Sequence, residues 1–199
     1  MFISHTYKFI LIKTRKTAGS SVEKFFIDND KNFIFGGMPP ENMLPINCAY
    51  PVEHKGWEWI KKHYPREWNS YYKITLERNP WDKVVSLYYW QKKINEGKDV
   101  SFENYIKKRE NKWNKKDWNM YTKNNNVIVD YIIQFDNINQ DMHKLSNILG
   151  FNYNDELTKI SLKSNIRKNN NYKDLYNTDL KNIVAKSYKN VISHFNYKF

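Results

Sequence analysis

The sequence predicts a single α/β domain spanning residues 1–199, with a mostly parallel central sheet flanked by helices. Three observations carry this expectation. Short apolar runs at Lys8–Ile12, Tyr72–Glu77 and within Val127–Phe135 are strand candidates. Each is followed by a segment whose apolar residues recur at helical spacing. The chain has 199 residues, 40% of them hydrophobic and 17% aromatic, enough for one domain with a buried core. Strands alternating with helices favour a parallel sheet. In such sheets ligands bind at the carboxyl ends of the strands, where the loops gather.

Taken in order, the run Lys8–Ile12 leads into a turn-like Thr14-Arg-Lys-Thr-Ala-Gly19, then into a helix with Val22, Phe25 and Phe26 on one side. Residues 36–56 hold four of the six prolines and three of the six glycines, which predicts an irregular excursion. A short helix is expected at Trp57–His63 and a second strand at Tyr72–Glu77. Asn79 and Pro80 then supply an N-cap and an N1 proline for a helix reaching about Lys93, with Val84, Val85, Tyr88 and Tyr89 as its apolar face. Residues 95–126 are polar, with one short helix near Phe102–Lys108. After the third strand, a helix from about Asn139 to Leu149 ends at Gly150, where a left-handed residue is favoured. Residues 169–171 read as a loop. Thr178 is expected to cap one last helix carrying Leu180, Val184, Tyr188, Val191 and Phe195.

The net charge of +12 implies either solubility alone or a field that attracts anions such as nucleic acid, phosphorylated nucleotides or acidic polysaccharide. Charge does not choose among them. Cys48 is the only cysteine, so no intramolecular disulfide can form. No stretch approaches the length of a membrane span. The Phe9-Ile-Leu-Ile12 run is too short for a signal h-region, so a cytoplasmic, soluble protein is expected.

Two motifs carry chemistry. Lys16-Thr-Ala-Gly-Ser-Ser21 lies between a predicted strand and a predicted helix. A loop entering a helix N-terminus offers backbone N–H groups and a positive dipole end. Gly19 would allow close approach of an anion, Thr17, Ser20 and Ser21 add hydroxyls, and Lys16 adds a mobile charge. A helix start capped by Ser20 is the competing explanation. The pattern is not a Walker A loop, because Lys16 precedes the glycine instead of following it, which disfavours a nucleoside triphosphatase. The second motif is Arg78-Asn-Pro-Trp-Asp-Lys-Val-Val-Ser86. An arginine fork at a strand's end with a hydroxyl in the following helix makes a receptor for a second phosphate. An internal Arg78–Asp82 pair is the alternative.

Together K-T-A-G-S-S and R-N-P-W-D-K-V-V-S-L-Y resemble the two signatures of the PAPS-dependent sulfotransferase superfamily, PAPS being 3′-phosphoadenosine 5′-phosphosulfate. They are most similar to the carbohydrate-type branch of Golgi, bacterial and viral proteins. Val129-Asp-Tyr-Ile-Ile-Gln-Phe-Asp136 with Asp141, and His194–Phe199, extend the resemblance along the chain. It implies a P-loop NTPase-like core and PAPS as donor, leaving 3′-phosphoadenosine 5′-phosphate (PAP). Arg15, Lys16, Thr17, Ala18, Gly19, Ser20 and Ser21 would surround the phosphosulfate end. Arg78 and Ser86 would hold the 3′-phosphate, and Arg167 would add a late basic contact. Arg15 stands where the family has proline, a departure that leaves the loop less rigid.

In-line displacement at sulfur, by analogy with phosphoryl transfer, needs stabilisation of the leaving group and a base for the acceptor hydroxyl. Lys16 suits the first task. No metal is expected, because carboxylates and histidines show no metal-ligand spacing. A histidine suits the second task, and His54 is the expected base, with adjacent Glu53 as alternative. Lys107–Lys123, with Trp113, Trp118 and Tyr121, reads either as a glycan-recognition segment or as a solvated loop with anchors. The expected function is sulfuryl transfer to a glycan hydroxyl, without nucleic-acid partner or membrane span. Small alcohols or phenols, lipids and protein tyrosine are alternative acceptors. A basic nucleic-acid-binding module is the rival of another class, and a nucleotide kinase a further one.

Overall fold

The first strand, β1 (Phe2–Ser4), folds back on β2 (Phe9–Ile12), after which α1 (Gly19–Asn29) leads to β3 (Phe33–Phe35). The structure, a computed structural model, describes residues 1–36, 54–94, 100–110, 115–159 and 171–199. The next elements are α2 (Trp57–His63), α3 (Pro65–Ser70), β4 (Tyr72–Glu77), α4 (Pro80–Ile94), α5 (Phe102–Lys107) and α6 (Lys115–Trp118). A small hairpin, β5 (Thr122–Lys123) and β6 (Asn126–Val127), precedes β7 (Tyr131–Gln134), α7 (Ile138–Leu149) and α8 (Glu156–Lys159). Then come α9 (Thr178–Ser187) and α10 (Lys189–Phe195). The chain divides into two compact units. One comprises Met1–Glu77 with Asn119–Leu162, the other Arg78–Trp118 with Lys163–Phe199.

The first unit holds the five-stranded sheet, in the order β3-β1-β2-β4-β7. β2 pairs parallel with β4, and β4 with β7, whereas β1 is antiparallel to both β2 and β3. Only β1 therefore runs against the other strands, so the α/β class with a mostly parallel sheet holds. Ile12 lies opposite Thr75 and Glu77 opposite Gln134, so β2, β4 and β7 end at one edge of the sheet. β2 is apolar throughout and buried throughout, as a strand covered on both faces must be. The core beneath α1 is aromatic. Phe26 lies with its ring centroid 4.6 Å from that of Phe9 and 5.1 Å from that of Phe151. Fully burying a side chain of this size contributes about 1.5–3 kcal/mol. α1, α7 and α8 flank the sheet and send Phe25, Met142, Leu145 and Leu157 into this core.

The third strand lies within Val127–Phe135 as expected, at Tyr131–Gln134, while Val127 belongs to the β5–β6 hairpin. Asn124 and Asn125, both with positive φ (51° and 64°), form the hairpin turn, a conformation asparagine tolerates. The last helix is two helices. Asn177, not Thr178, caps α9 by accepting the Leu180 N–H at 2.9 Å, and Tyr188 (φ −108°, ψ 23°) interrupts the helix. Leu180, Val184, Tyr188 and Val191 are nevertheless all buried, so the apolar stripe survives the break. α7 ends as expected at Gly150, whose φ of 78° is left-handed. In the second unit α4 buries Trp81, Val84, Val85 and Tyr88. Among the described residues, no helix is long and apolar enough to cross a membrane. Most of the excursion expected over 36–56 lies outside the described residues.

Candidate active site

The loop from β2 to α1 is built from the inside outward. Lys13, the first residue after β2, is only 5% exposed, and its Nζ lies 2.5 Å from Glu23 Oε2 in the second turn of α1. Glu23 is 2% exposed, and the amino group of Met1 lies 3.1 Å from its other carboxylate oxygen. Thr14 donates its hydroxyl to the Leu76 carbonyl at 2.5 Å, tying the loop to the end of β4. Thr17 is fully buried and donates its hydroxyl to the Thr14 carbonyl at 3.2 Å. Of the expected phosphate contacts, Thr17 is thus a staple within the loop, with its side chain turned inward.

These ties hold a strained backbone. Lys16 and Ala18 have φ of 60° and 65°, the left-handed region, although neither is glycine. A non-glycine residue so placed costs on the order of 1–3 kcal/mol and persists only where its surroundings over-determine it. Left-handed residues within a turn aim backbone N–H groups into a concavity that receives anions. Ala18 is also the N-cap of α1, and no side chain caps the helix. The Ser20-capped start is therefore not what forms. Ser21 and Val22 instead donate their N–H groups to the Ala18 carbonyl at 2.9 and 3.1 Å. Arg15, Lys16, Ala18 and Ser20 are half-buried, whereas Ser21 is 7% exposed.

Gly19 has a role that the sequence does not disclose. A Cβ at this position would lie 2.7 Å from Lys13 Cγ. The glycine lets the Lys13 stem pass beneath the helix start on its way to Glu23.

His54 is exposed, yet its ring is placed. Nδ1 lies 3.0 Å from the Lys13 carbonyl oxygen. A carbonyl only accepts, so Nδ1 bears the proton and, in the neutral ring, Nε2 bears the lone pair. The residues that follow dock on 120–122. Trp57 donates its backbone N–H to the Met120 carbonyl at 2.8 Å and its indole N–H to the Thr122 carbonyl at 2.9 Å. A Cβ on Gly56 would lie 2.9 Å from Met120 Cα, so the two backbones touch there. Tyr121 and Glu77 are both fully buried, and the Tyr121 hydroxyl donates to Glu77 Oε2 at 2.8 Å. The segment beside His54 is thereby tied to the end of β4. Glu53 lies outside the described residues.

At the end of β7, Asp141 accepts the Gln134 N–H at 2.8 Å and the Tyr131 hydroxyl at 3.1 Å. Burial, and then the Asp141 carboxylate, push the Tyr131 phenol well above its ordinary range, so it remains a donor. The extended resemblance around Asp136 and Asp141 thus includes a carboxylate that fixes the start of α7.

In the second unit, Asn79 Oδ1 accepts the Trp81 N–H at 3.1 Å, the cap expected from Asn-Pro. Arg78 is 9% exposed, with Nε and Nη2 2.8 and 2.6 Å from Asp82 Oδ2. The Arg78–Asp82 pair weighed as an alternative therefore exists. It fixes the plane of the guanidinium fork, whose five donors point in set directions. Ser86 is half-buried on α4. Lys83 is fully buried with its Nζ 3.1 Å from Asp117 Oδ2 on α6, a pair that no sequence signal marked. Trp118 is 4% exposed. With Tyr121 it is buried framework, so of the two readings of residues 107–123 these side chains fit the anchors. Trp113 and Arg167 lie outside the described residues. Among the described residues, no group of three or more His, Cys, Asp or Glu side chains is placed to hold a metal ion.

No protein-family model matches the chain. An uncharacterized protein of Archaeoglobus fulgidus is 32% identical over 87 residues, covering 41% of this chain and 70% of that protein. At that identity and coverage, the two belong to one family. The crystal structure of mouse sulfotransferase SULT7A1 complexed with PAP superposes with a TM-score of 0.58, covering 93% of this chain and 85% of that one at 15% identity. The chain therefore has the fold of a sulfotransferase, as the resemblance implied.

Gly19→Ala is expected to destabilise the protein by about 1–3 kcal/mol, because the Lys13 stem must shift. Denaturant unfolding measures this, and an unchanged midpoint would show that the stem has room to move.

Proposed function

We propose that this chain, kin to an uncharacterized archaeal protein and folded like a sulfotransferase, transfers a sulfuryl group from PAPS to a carbohydrate hydroxyl. One observation carries the reading. Between a parallel strand and its helix, left-handed Lys16 and Ala18 precede a helix start that no side chain caps, and the same loop's Lys13 carbonyl orients His54. In this reading an anion receptor and the base that its loop orients meet at Lys13. The mouse sulfotransferase is complexed with PAP, a ligand whose phosphates agree in chemistry with such a receptor.

In this reading the loop backbone from Lys16 to Ser21 receives the 5′-phosphosulfate end of the donor. Arg78, held in plane by Asp82, and Ser86 receive the 3′-phosphate. Arg15 and Arg167 add positive charge for the donor. The acceptor oxygen forms a bond to sulfur as the bond from sulfur to the bridging oxygen breaks. The acceptor proton passes to His54 Nε2, and PAP and a sulfate ester remain. The Lys16 ammonium offsets the charge that develops on the bridging oxygen.

The carbohydrate half of the reading rests on branch resemblance and on surface chemistry. α2 starts three residues after His54, and Lys61, Lys62 and His63 lie exposed in its last turn. Lys55 lies with Nζ 5.7 Å from the ring centroid of half-buried Trp59. In this reading the exposed ammonium groups of Lys61 and Lys62 and the charge of Lys55 draw an anionic sugar toward this face.

Transfer of radiolabelled sulfate from PAPS is the test, run over glycans, phenols, lipids and tyrosyl peptides. Labelled glycan is expected. Label on another class alone would move the acceptor, and no label anywhere would reject the enzyme. Lys16→Ala should lower kcat by about 10²-fold or more while PAP binding weakens less. Near-normal turnover would remove Lys16 from the mechanism. His54→Ala should lower kcat by about 10²–10⁴-fold with PAP binding intact. If transfer survives that change, the base lies elsewhere and Glu53→Gln is the next variant.

A further inference from the structure

We infer that Lys13 and Glu23 are positioning residues for His54: their buried ion pair fixes the Lys13 peptide so that its carbonyl holds the ring in one tautomer. The inference rests on the proposed role of His54 as base, but its geometry stands by itself. Lys13 meets three things at once. Its ammonium is 2.5 Å from Glu23, its stem runs where a Gly19 side chain would have to be, and its carbonyl is 3.0 Å from His54 Nδ1. A lysine that is 5% exposed against a glutamate that is 2% exposed cannot let go without leaving a charge in the interior. The side chain is thus clamped to α1, and with it the direction of the carbonyl at the end of β2.

That carbonyl does to the imidazole what a buried carboxylate or carbonyl does to other catalytic or metal-binding histidines. It selects the tautomer and leaves Nε2 as the basic nitrogen. A histidine held in the wrong tautomer is a poor base even when its position is kept. The bond also explains why an exposed residue in a segment rich in proline and glycine has a defined ring orientation.

The test uses the full chain labelled with 15N, in which long-range proton–nitrogen spectra report which ring nitrogen of His54 carries the proton. His54→Gln assigns the signals. In the unaltered protein the neutral ring is expected to be protonated at Nδ1. Lys13→Met keeps an aliphatic stem and removes the ammonium. It is expected to give averaged signals of mixed tautomers and a kcat lower by about tenfold or more, with acceptor KM and PAP affinity little changed. If Lys13→Met does not fold, Lys13→Gln removes the ammonium while Glu23 keeps its charge partner in the Met1 amino group, and it is judged by the same signals. A folded variant that keeps the Nδ1 proton and full turnover would overturn the inference. Failure of the unaltered protein to transfer sulfate to any acceptor would reject the enzymatic reading instead, and the tautomer signals would still decide the positioning claim.

Discussion

At the end of β2 a lysine turns inward. The Lys13–Glu23 pair is the constraint on which the loop, the helix start and the histidine depend. Two charges this deeply buried are costly to desolvate and costlier to separate, about 3–5 kcal/mol when one partner is removed. That penalty is of the same order as the strain of holding Lys16 and Ala18 in left-handed conformations, about 1–3 kcal/mol each. The Thr14–Leu76 and Thr17–Thr14 hydrogen bonds add further ties. The loop is thus stiffened by a salt bridge below it and by hydroxyls within it.

The segment that follows His54 rests on a second buried contact, Tyr121 to Glu77. Glu77 is the last residue of β4, and Arg78 follows it directly. The strand that carries the loop's hydrogen-bond acceptor, Leu76, therefore also carries the carboxylate that holds the Tyr121 segment. Gly56 then brings residues 54–57 onto Met120. Small residues at 19 and 56 act alike in this protein. Both permit close passage, and neither is needed for an unusual φ.

Much of this was legible in the sequence. The β2-loop-α1 and β4-α4 units, the Asn79 cap and the Gly150 stop follow from local patterns whose physics is local. The excess of cations over anions was plain, though it does not say what they attract. What stayed hidden depends on contacts distant in sequence. Lys13 looks like any of the 33 basic residues until Glu23 lies beside it. Tyr121 sits in a polar, lysine-rich stretch and shows its burial only through Glu77, 44 positions away. Ala18 carries no signal for a left-handed conformation, because the strain there is imposed by the fold. Asn177 and Thr178 are both good caps, and only the geometry chooses between them.

The two motifs belong to one function only if this chain recognises a nucleotide carrying both a 5′- and a 3′-phosphate. Titration calorimetry with adenosine 3′,5′-bisphosphate, against ATP with magnesium, tests this most directly. Binding is expected near a Kd of about 1 μM, with preference over ATP and weakening of about tenfold or more in Arg78→Ala. Absence of binding, or an affinity indifferent to Arg78 and to the 3′-phosphate, would contradict it.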